Sequence, residues 1–159
     1  MYKSIDLYNQ LANNKLFKKS VNFGLKRIKL ALTLLGHPEK KLKNVISVIG
    51  ESGKFTTLTS LKSFIEANKK TVTAHISPSL RDIKERFYIG NRYLSHKEIK
   101  KTIKLIEKLN VPLTIFECLT LVYIINASKI NADYNIQETG ALWRLDSNNI
   151  HDFPRVQIC

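Results

Sequence analysis

The chain has 159 residues, of which 43% are hydrophobic, so it can bury one core and is not a disordered polymer. Its longest apolar stretch, residues 116–127, is interrupted by Glu117 and Thr120 and is too short to cross a bilayer. The N-terminus lacks the apolar segment of a secretory signal, and Cys118 and Cys159 form neither a disulfide framework nor a metal-ligand pattern. We therefore expect a cytoplasmic protein that does not enter a membrane.

The formal net charge of +13 would suit binding to a nucleic acid or to acidic lipid. Lysines nevertheless occur in nearly every segment, mostly on the polar faces of helical patterns, and no row of aromatic residues alternates with them. This distribution is typical of a solvated, lysine-rich surface and argues against a nucleic-acid partner. The same excess of positive charge would also suit anionic substrates such as nucleotides and polycarboxylates.

The first half of the chain alternates between helical and strand patterns. Apolar spacing predicts a helix over residues 25–35, which Gly36-His37-Pro38 ends. The β-branched run 45–49 predicts a strand buried on both faces, and a helix ending near Asn68 follows it. Residues 71–76 have the pattern of a second strand. These elements predict a βαβ unit with a right-handed crossover and a parallel sheet.

The second half begins with residues 85–93, whose alternation and central Gly-Asn pair predict a hairpin projecting from the edge of the sheet. A capping box, Ser-x-x-Glu, predicts a helix over 95–109, and a further helix is expected from 114 to about 130. Strands are predicted at 134–138 and at 156–159. The expected fold is therefore an α/β domain with a P-loop-type, mostly parallel sheet and flanking helices.

Residues 50–57, here called the phosphate loop, follow the first strand and carry groups that bind phosphate. The backbone N–H groups would open a helix, Lys54 would meet phosphate oxygens, and a hydroxyl could reach Mg²⁺. The loop does not match Walker A, because Gly50 and Gly53 are too close and Phe55 directly follows the lysine; a tight turn with an exposed lysine is the alternative. The residues expected to contact a nucleotide are Gly50, Ser52, Gly53, Lys54, Phe55, Thr56 and Thr57.

Several segments together resemble folylpolyglutamate synthase/dihydrofolate synthase, a family of the Mur ligase superfamily. Residues 48–57 look like V-A-G-T-N-G-K-G-S-T, and 76–86 resemble T-S-P-H-L…E-R-I. Residues 138–150 are similar to E-V-G-L-G-G-R-L-D-A-T-N-V, 116–120 to F-E-x-x-T, and 24–38 to the family's G-L…L-G-N-P. The segments occur in the family's order, and the resemblance covers nearly the whole chain from about Gly24 onward.

The resemblance implies an acid–amino-acid ligase of folate biosynthesis and one-carbon metabolism that uses ATP and Mg²⁺. ATP would phosphorylate a folate carboxylate, of dihydropteroate or tetrahydrofolate, and the amine of L-glutamate would displace the phosphate. Positioning and charge neutralisation dominate such phosphoryl transfer. On matching positions, Lys54 would be catalytic and would hold phosphates, while Ser77 and Glu138 would be Mg²⁺ ligands with Thr56 as a further one.

The resemblance also assigns roles to residues after the third predicted strand. Arg144 and Asp146 would act catalytically by shaping the site beside the metal, and Asn149 would contact the nucleotide. The alternative for Arg144 and Asp146 is a surface ion pair. Separately, the alternative for Ser77 is a simple turn residue, and the alternative for Glu138 is a strand-end carboxylate paired with a lysine.

Two further acidic residues have a structural and a functional interpretation. Glu117, beneath an apolar helix face, is expected to be structural. Glu85 would either fix the predicted hairpin or meet substrate. The resemblance makes residues 1–159 a single, incomplete N-terminal ATP-binding domain of the Mur ligase central type, without the C-terminal glutamate-ligase domain. We expect it to be a monomer and inactive by itself.

The chain departs from the family pattern at the phosphate loop and beyond. Phe55 replaces the small residue after the lysine, and Glu51 places a negative charge beside the phosphates. Leu142-Trp143 replaces Gly-Gly, and Ser79 stands in place of a histidine. These departures predict weak ATP binding, and they leave open an alternative function as a catalytically inactive paralogue.

Overall fold

The computed structural model describes residues 3–15, 17, 24–140, 143–152 and 154–159. Its helices are α1 (Lys3–Asn13), α2 (Lys26–Leu34), α3 (Lys54–Ala67), α4 (His96–Glu107) and α5 (Ile115–Ala127). Its strands are β1 (Val45–Val48), β2 (Val72–His75), β3 (Phe87–Ile89), β4 (Tyr134–Glu138) and β5 (Val156–Ile158). Short 3₁₀ turns occur at Pro38–Lys41, Ile83–Arg86 and Trp143–Leu145.

Within the described residues, the strands form one five-stranded sheet in the order β3-β2-β4-β1-β5. β1, β2, β4 and β5 run parallel to one another, and β3 pairs antiparallel with β2. The parallel arrangement brings the carboxyl ends of β1, β2 and β4 to one edge of the sheet. The predicted α/β fold with a mostly parallel sheet is thus confirmed.

The two faces of the sheet are covered by different helices. α3 packs on one face, where Leu58 and Ile65 join Ile46, Val72 and Ile136 in an apolar cluster. α1, α2, α4 and α5 cover the other face, and their buried apolar side chains form a larger cluster. Burial of this apolar surface is the main stabilising contribution to such a fold.

The strand residues that face α5 are largely polar although they are buried: Ser47, Thr73, His75, Asn135 and Gln137. Buried polar groups are costly unless they are hydrogen-bonded. The Thr73 hydroxyl donates to Asn135 Oδ1 at 2.6 Å and lies 2.7 Å from the Tyr123 hydroxyl of α5. A hydrogen-bonded layer therefore lies between the sheet and α5, where the sequence pattern indicated only an apolar strand interior.

The segment 85–93 differs from the predicted projecting hairpin. Phe87–Ile89 is the edge strand β3 itself and is hydrogen-bonded along β2. The turn after it is tight, as expected, because the N–H of Ile89 donates to the Arg92 carbonyl at 2.7 Å, and Tyr88 bridges to Tyr93. The prediction was wrong about the projection because β2 has no other neighbour on that side, so its backbone groups pair with β3.

Two of the helices that cover this second face, α4 and α5, begin with capping boxes, and one box contains a structural carboxylate. The predicted box at Ser95 and Glu98 starts α4, and Thr114 with Glu117 forms a second box at α5. Glu117 Oε2 also lies 3.1 Å from Arg27 Nε of α2. The structural interpretation of Glu117 is therefore supported. Among the described residues, no helix is both long and apolar enough to span a membrane.

Candidate functional site

A cleft of about 390 Å³ opens at the carboxyl ends of β1, β2 and β4. It is lined by the phosphate loop and by the residues that follow the other two strands. The lining residues are Glu51, Gly53, Lys54, Phe55, Ser77, Pro78, Glu138 and Gly140. The structure thus brings Lys54, Ser77 and Glu138 to one cleft, as the sequence predicted, although their chemical roles stay predictions.

Glu138 is the last residue of β4 and is only 6% exposed. Its Oε2 accepts a hydrogen bond from the backbone N–H of Ser77 at 2.9 Å, so the two candidate metal ligands are in direct contact. Burial raises the pKa of the Glu138 carboxyl, while the Ser77 N–H and the charges of Lys54 and Arg86 oppose that shift. The carboxylate is therefore tied at one oxygen and partly compensated by nearby cations.

Asp146 is held by backbone donors from both sides. The N–H of Gly140 donates to Oδ2 at 2.9 Å, and the N–H of Asn148 donates to Oδ1 at 2.8 Å. A Cβ at position 140 would lie 2.7 Å from Oδ2, so a larger residue there would have to displace the Asp146 carboxylate. Burial raises the pKa of Asp146, and these two hydrogen bonds act in the opposite direction. The carboxylate thus fixes the chain between 140 and 148 instead of pairing with the exposed Arg144.

Asn148 is a site residue that sequence reasoning missed. Its Nδ2 donates to the backbone carbonyl of Glu138 at 2.7 Å, and its Oδ1 lies 3.2 Å from Nδ1 of the fully buried His75. The neighbouring Asn149, which was predicted to contact nucleotide, is half-buried and reaches the carbonyl of Arg144 at 3.5 Å. Ser77, Glu138, Asp146 and Asn148 are called the acid cluster below. The Asp-Ser-Asn sequence in the loop after β4 is the signal that could have found Asn148.

The phosphate loop leads into α3 without a side-chain cap. Gly53, with φ of 80°, is the N-cap residue and supplies no side chain, so the first N–H groups of α3 are left for other acceptors. Lys54 Nζ donates to the carbonyls of Gly50 at 2.6 Å and Glu51 at 3.0 Å. The lysine therefore binds carbonyls of its own loop while it lines the cleft, and its contact with phosphate stays a prediction.

The remaining loop residues differ in their access to the cleft. Phe55 is 50% exposed and forms part of the cleft wall, so the ring neither leaves the site nor fills it. Ser52 and Thr56 are exposed, and Thr57 is half-buried with its N–H donating to the Gly53 carbonyl at 2.9 Å. A metal contact from Thr56 stays a prediction. Leu142 and the side chain of Trp143 lie outside the described residues.

Glu85 fixes the loop beside the cleft. Its Oε2 accepts from the backbone N–H groups of Leu80 at 2.7 Å and Arg81 at 3.1 Å. This arrangement supports the structural interpretation of Glu85.

The donor set of the cleft can be compared with the needs of a divalent cation. In the described part of the chain, no three His, Cys, Asp or Glu side chains form a metal-binding group. Glu138 and the Ser77 hydroxyl would supply two oxygen ligands side by side. Mg²⁺ typically takes one or two protein oxygens and completes its shell with phosphate and water, so these residues fit Mg²⁺ bound together with a nucleotide.

No family model matches the chain. The dihydrofolate synthase/folylpolyglutamate synthase of Buchnera aphidicola is 35% identical over 133 residues, which cover 82% of this chain and 31% of that protein. The structure of E. coli FolC in complex with DHPP and ADP matches with a TM-score of 0.84 at 31% identity, over 93% of this chain and 36% of that one.

A bifunctional folylpolyglutamate synthase/dihydrofolate synthase with Mn, AMPPNP and L-glutamate bound matches with a TM-score of 0.82 at 29% identity. The match covers 93% of this chain and 36% of that one. The chain therefore spans about a third of the length of the relatives it matches. Sequence and fold together identify it as a homologue of the dihydrofolate synthase/folylpolyglutamate synthases, a family with the Mur ligase type of fold.

Proposed function

We propose that this chain is the ATP- and Mg²⁺-binding part of a ligase that adds L-glutamate to a folate, either dihydropteroate or tetrahydrofolate, through an acyl phosphate. The observation that carries the proposal is the contact between the Glu138 carboxylate and the Ser77 N–H, in a cleft that the uncapped start of α3 also enters. The names and bound ligands of the homologues support the same reaction class.

Each side of the cleft has its own task in this proposal. The first N–H groups of α3 bind phosphate oxygens, and Lys54 joins them after exchanging the Gly50 and Glu51 carbonyls for phosphate. Glu138 and Ser77 hold the metal ion, which when bound reduces the repulsion between phosphate oxygens. Asp146 keeps the chain after β4 in place, and the exposed Arg144 helps to shape the site beside the metal.

The proposal extends to the protein's setting. We place it in the cytoplasm as a monomeric, single ATP-binding domain of the Mur ligase central type. The 159-residue chain assayed by itself is expected not to ligate glutamate, because positioning supplies most of the rate and the match covers about a third of each relative. A coupled phosphate-release assay with folate and glutamate tests this expectation.

A catalytically silent paralogue is the second candidate, and one observation favours it. Lys54 already has two carbonyl acceptors, while Glu51 and Phe55 both line the cleft where phosphate would bind. A carboxylate a few ångströms from phosphate costs on the order of 1 to 4 kcal/mol, depending on the local dielectric. Under this alternative the cleft is retained but binds nucleotide weakly or not at all.

Isothermal titration with Mg²⁺-ATP separates the two candidates. The double variant Glu51→Thr with Phe55→Gly should bind at least about tenfold more tightly than the unmodified chain, because a like-charge interaction and a bulky ring are removed. Adding Lys54→Ala should abolish the gain. Phe64→Ala, which removes another exposed ring from α3, is the matched control and should change nothing. Unchanged affinity in the double variant would contradict the proposed role of the phosphate loop.

A further inference from the structure

His75 lies beneath the acid cluster, at the end of β2, and is fully buried. Its ring stacks between Phe87, at a centroid distance of 5.8 Å and an angle of 8°, and Tyr123, at 5.2 Å and 11°. This stack leaves the imidazole little freedom to rotate out of its plane. The direction of its ring nitrogens is therefore set by packing.

The hydrogen bonds of Asn148 determine which ring nitrogen carries the proton. The carbonyl of Glu138 can only accept, so the Asn148 amide nitrogen must face it, as the 2.7 Å distance requires. The amide oxygen of Asn148 then faces Nδ1 of His75 at 3.2 Å. Because this oxygen is an acceptor, Nδ1 must be the protonated nitrogen of the ring.

His75, Asn148 and Glu138 are also linked through Ser77. Ser77 follows His75 by two positions, and its N–H donates to Glu138 Oε2 at 2.9 Å. Glu138 is thus held at its carboxylate by the chain that leaves β2 and at its carbonyl by Asn148. His75 connects these two contacts, since it ends β2 two residues before Ser77 and donates to Asn148.

Packing alone does not explain a histidine at this place. Nε2 of His75 is buried without a hydrogen-bond partner in the described part of the chain. An unsatisfied buried polar atom destabilises the fold, and a phenylalanine would fill the same aromatic stack without that cost. The feature that a phenylalanine would lack is the Nδ1–H donor toward Asn148.

We infer that His75 is a positioning residue for Glu138: its Nδ1–H holds the Asn148 amide, which fixes the Glu138 carbonyl and so directs the carboxylate to the Ser77 N–H and the cleft. His75 is not among the residues that line the cleft. The inference deepens the proposed function and rests on it for the effect on ligand binding, whereas the hydrogen-bond link is a property of the chain itself.

Three variants of the chain separate positioning from packing. His75→Phe keeps the aromatic stack and removes the donor, and Asn148→Ala breaks the same link from the loop side. His75→Gln restores an amide donor at this place and should rescue the link. Thr73→Val is the matched control, because it removes a buried hydrogen bond from the same strand and the same face without touching Asn148.

Two measurements are made on each folded variant. Amide hydrogen exchange of Ser77 in the ligand-free protein, followed by NMR, reports the Glu138 contact directly. It should accelerate about tenfold in His75→Phe and Asn148→Ala, the factor that corresponds to one net hydrogen bond, and stay near the original rate in His75→Gln and Thr73→Val. Titration with Mn²⁺ and AMPPNP should show about tenfold weaker binding in the same two variants.

Each outcome decides a different question. Unchanged Ser77 exchange in His75→Phe, or equal acceleration in Thr73→Val, would overturn the inference. If His75→Phe does not fold, Asn148→Ala and His75→Gln decide by the same criterion. If the unmodified chain does not bind Mn²⁺-AMPPNP while Ser77 exchange still accelerates in His75→Phe, the link stands and the proposed function fails.

Discussion

The acid cluster and the phosphate loop lie on opposite sides of one cleft but are built in different ways. Glu138, Asp146 and Asn148 are each held by hydrogen bonds to backbone or buried partners. The phosphate loop has exposed residues, and the Lys54 ammonium donates to two carbonyls of the same loop. Under the proposed function, the side of the cleft that would bind the metal is preorganised, whereas the side that would bind phosphate must rearrange.

This difference separates two requirements of the proposed reaction. Preorganised groups cost no reorganisation when charge develops, whereas a lysine that must leave two carbonyls reduces its own net gain. The acid cluster should accordingly be sensitive to small structural changes, and the phosphate loop should tolerate them.

The largest expected effect is a loss of stability at low pH, caused by the buried side chains of His75 and His151. Burial, followed by the charge of Arg86, lowers the pKa of His75 to about 3, and burial lowers that of His151 to about 4. The unfolded chain binds protons below pH 6.5, so stability is full above that value and is lost as the pH falls toward these folded-state values. His75 alone should lower the free energy of unfolding by about 2 kcal/mol between pH 7 and pH 5.

Urea unfolding at pH 7 and pH 5 measures this loss. In His75→Phe the free energy of unfolding should depend less steeply on pH over this range than in the unmodified chain. An identical slope in the two proteins would mean that His75 is not buried in its neutral form.

A second large effect is expected when the carboxylate that is proposed to bind the metal is removed. Glu138→Gln should weaken Mn²⁺-AMPPNP binding roughly 100-fold, because an ionised ligand is replaced by a neutral amide of the same shape. Isothermal titration measures this affinity. Glu85→Gln, which removes a carboxylate from the adjacent loop, is the control, and an equal loss in both variants would indicate a general charge effect.

A moderate effect is expected from a substitution of Gly140, whose backbone lies against the Asp146 carboxylate. Gly140→Ala should lower the free energy of unfolding by about 2 kcal/mol, since the new Cβ would lie 2.7 Å from Asp146 Oδ2. Chemical denaturation measures the change. Combining it with Asp146→Ala should give less than the sum of the two single effects, because the contact is then absent; strict additivity would contradict the proposed clash.

The smallest effect is expected on the other side of the cleft. Lys54→Met should change the free energy of unfolding by less than about 0.5 kcal/mol, because its hydrogen bonds join it to carbonyls of its own loop. The same denaturation experiment measures it. A loss as large as that of Gly140→Ala would remove the contrast between the two sides.

The sequence predicted elements well where one local pattern decides the structure. The β-branched run of β1 and the capping box of α4 lie where they were expected. α1 was not predicted, although Leu7 and Leu11 have the four-residue spacing of a buried helix face. Its neighbours in space come from distant parts of the chain, so its short pattern gives little evidence by itself.

The site was predictable to the level of strand ends and not to the level of side-chain partners. Glu138 and Ser77 were assigned from the family resemblance, and their meeting in one cleft agrees with the rule that the carboxyl ends of parallel strands lie at one edge of the sheet. Asn148 holds Glu138, whereas Asn149 does not. This difference depends on the path of the chain after β4, which no local pattern specifies. Lys54 likewise rests on carbonyls whose direction is set by two glycines with positive φ.

The position of β1 in the sheet has a consequence for folding kinetics. Val45 pairs with Asn135, and Ile46 pairs with Val156, so both neighbours of this strand are synthesised long after it. Pairings between such distant segments are slow to form, since a long loop must close first. During synthesis the fully buried run Val45–Val48 therefore stays without its partners until most of the chain has emerged, and it is in this interval that the chain is most exposed to aggregation.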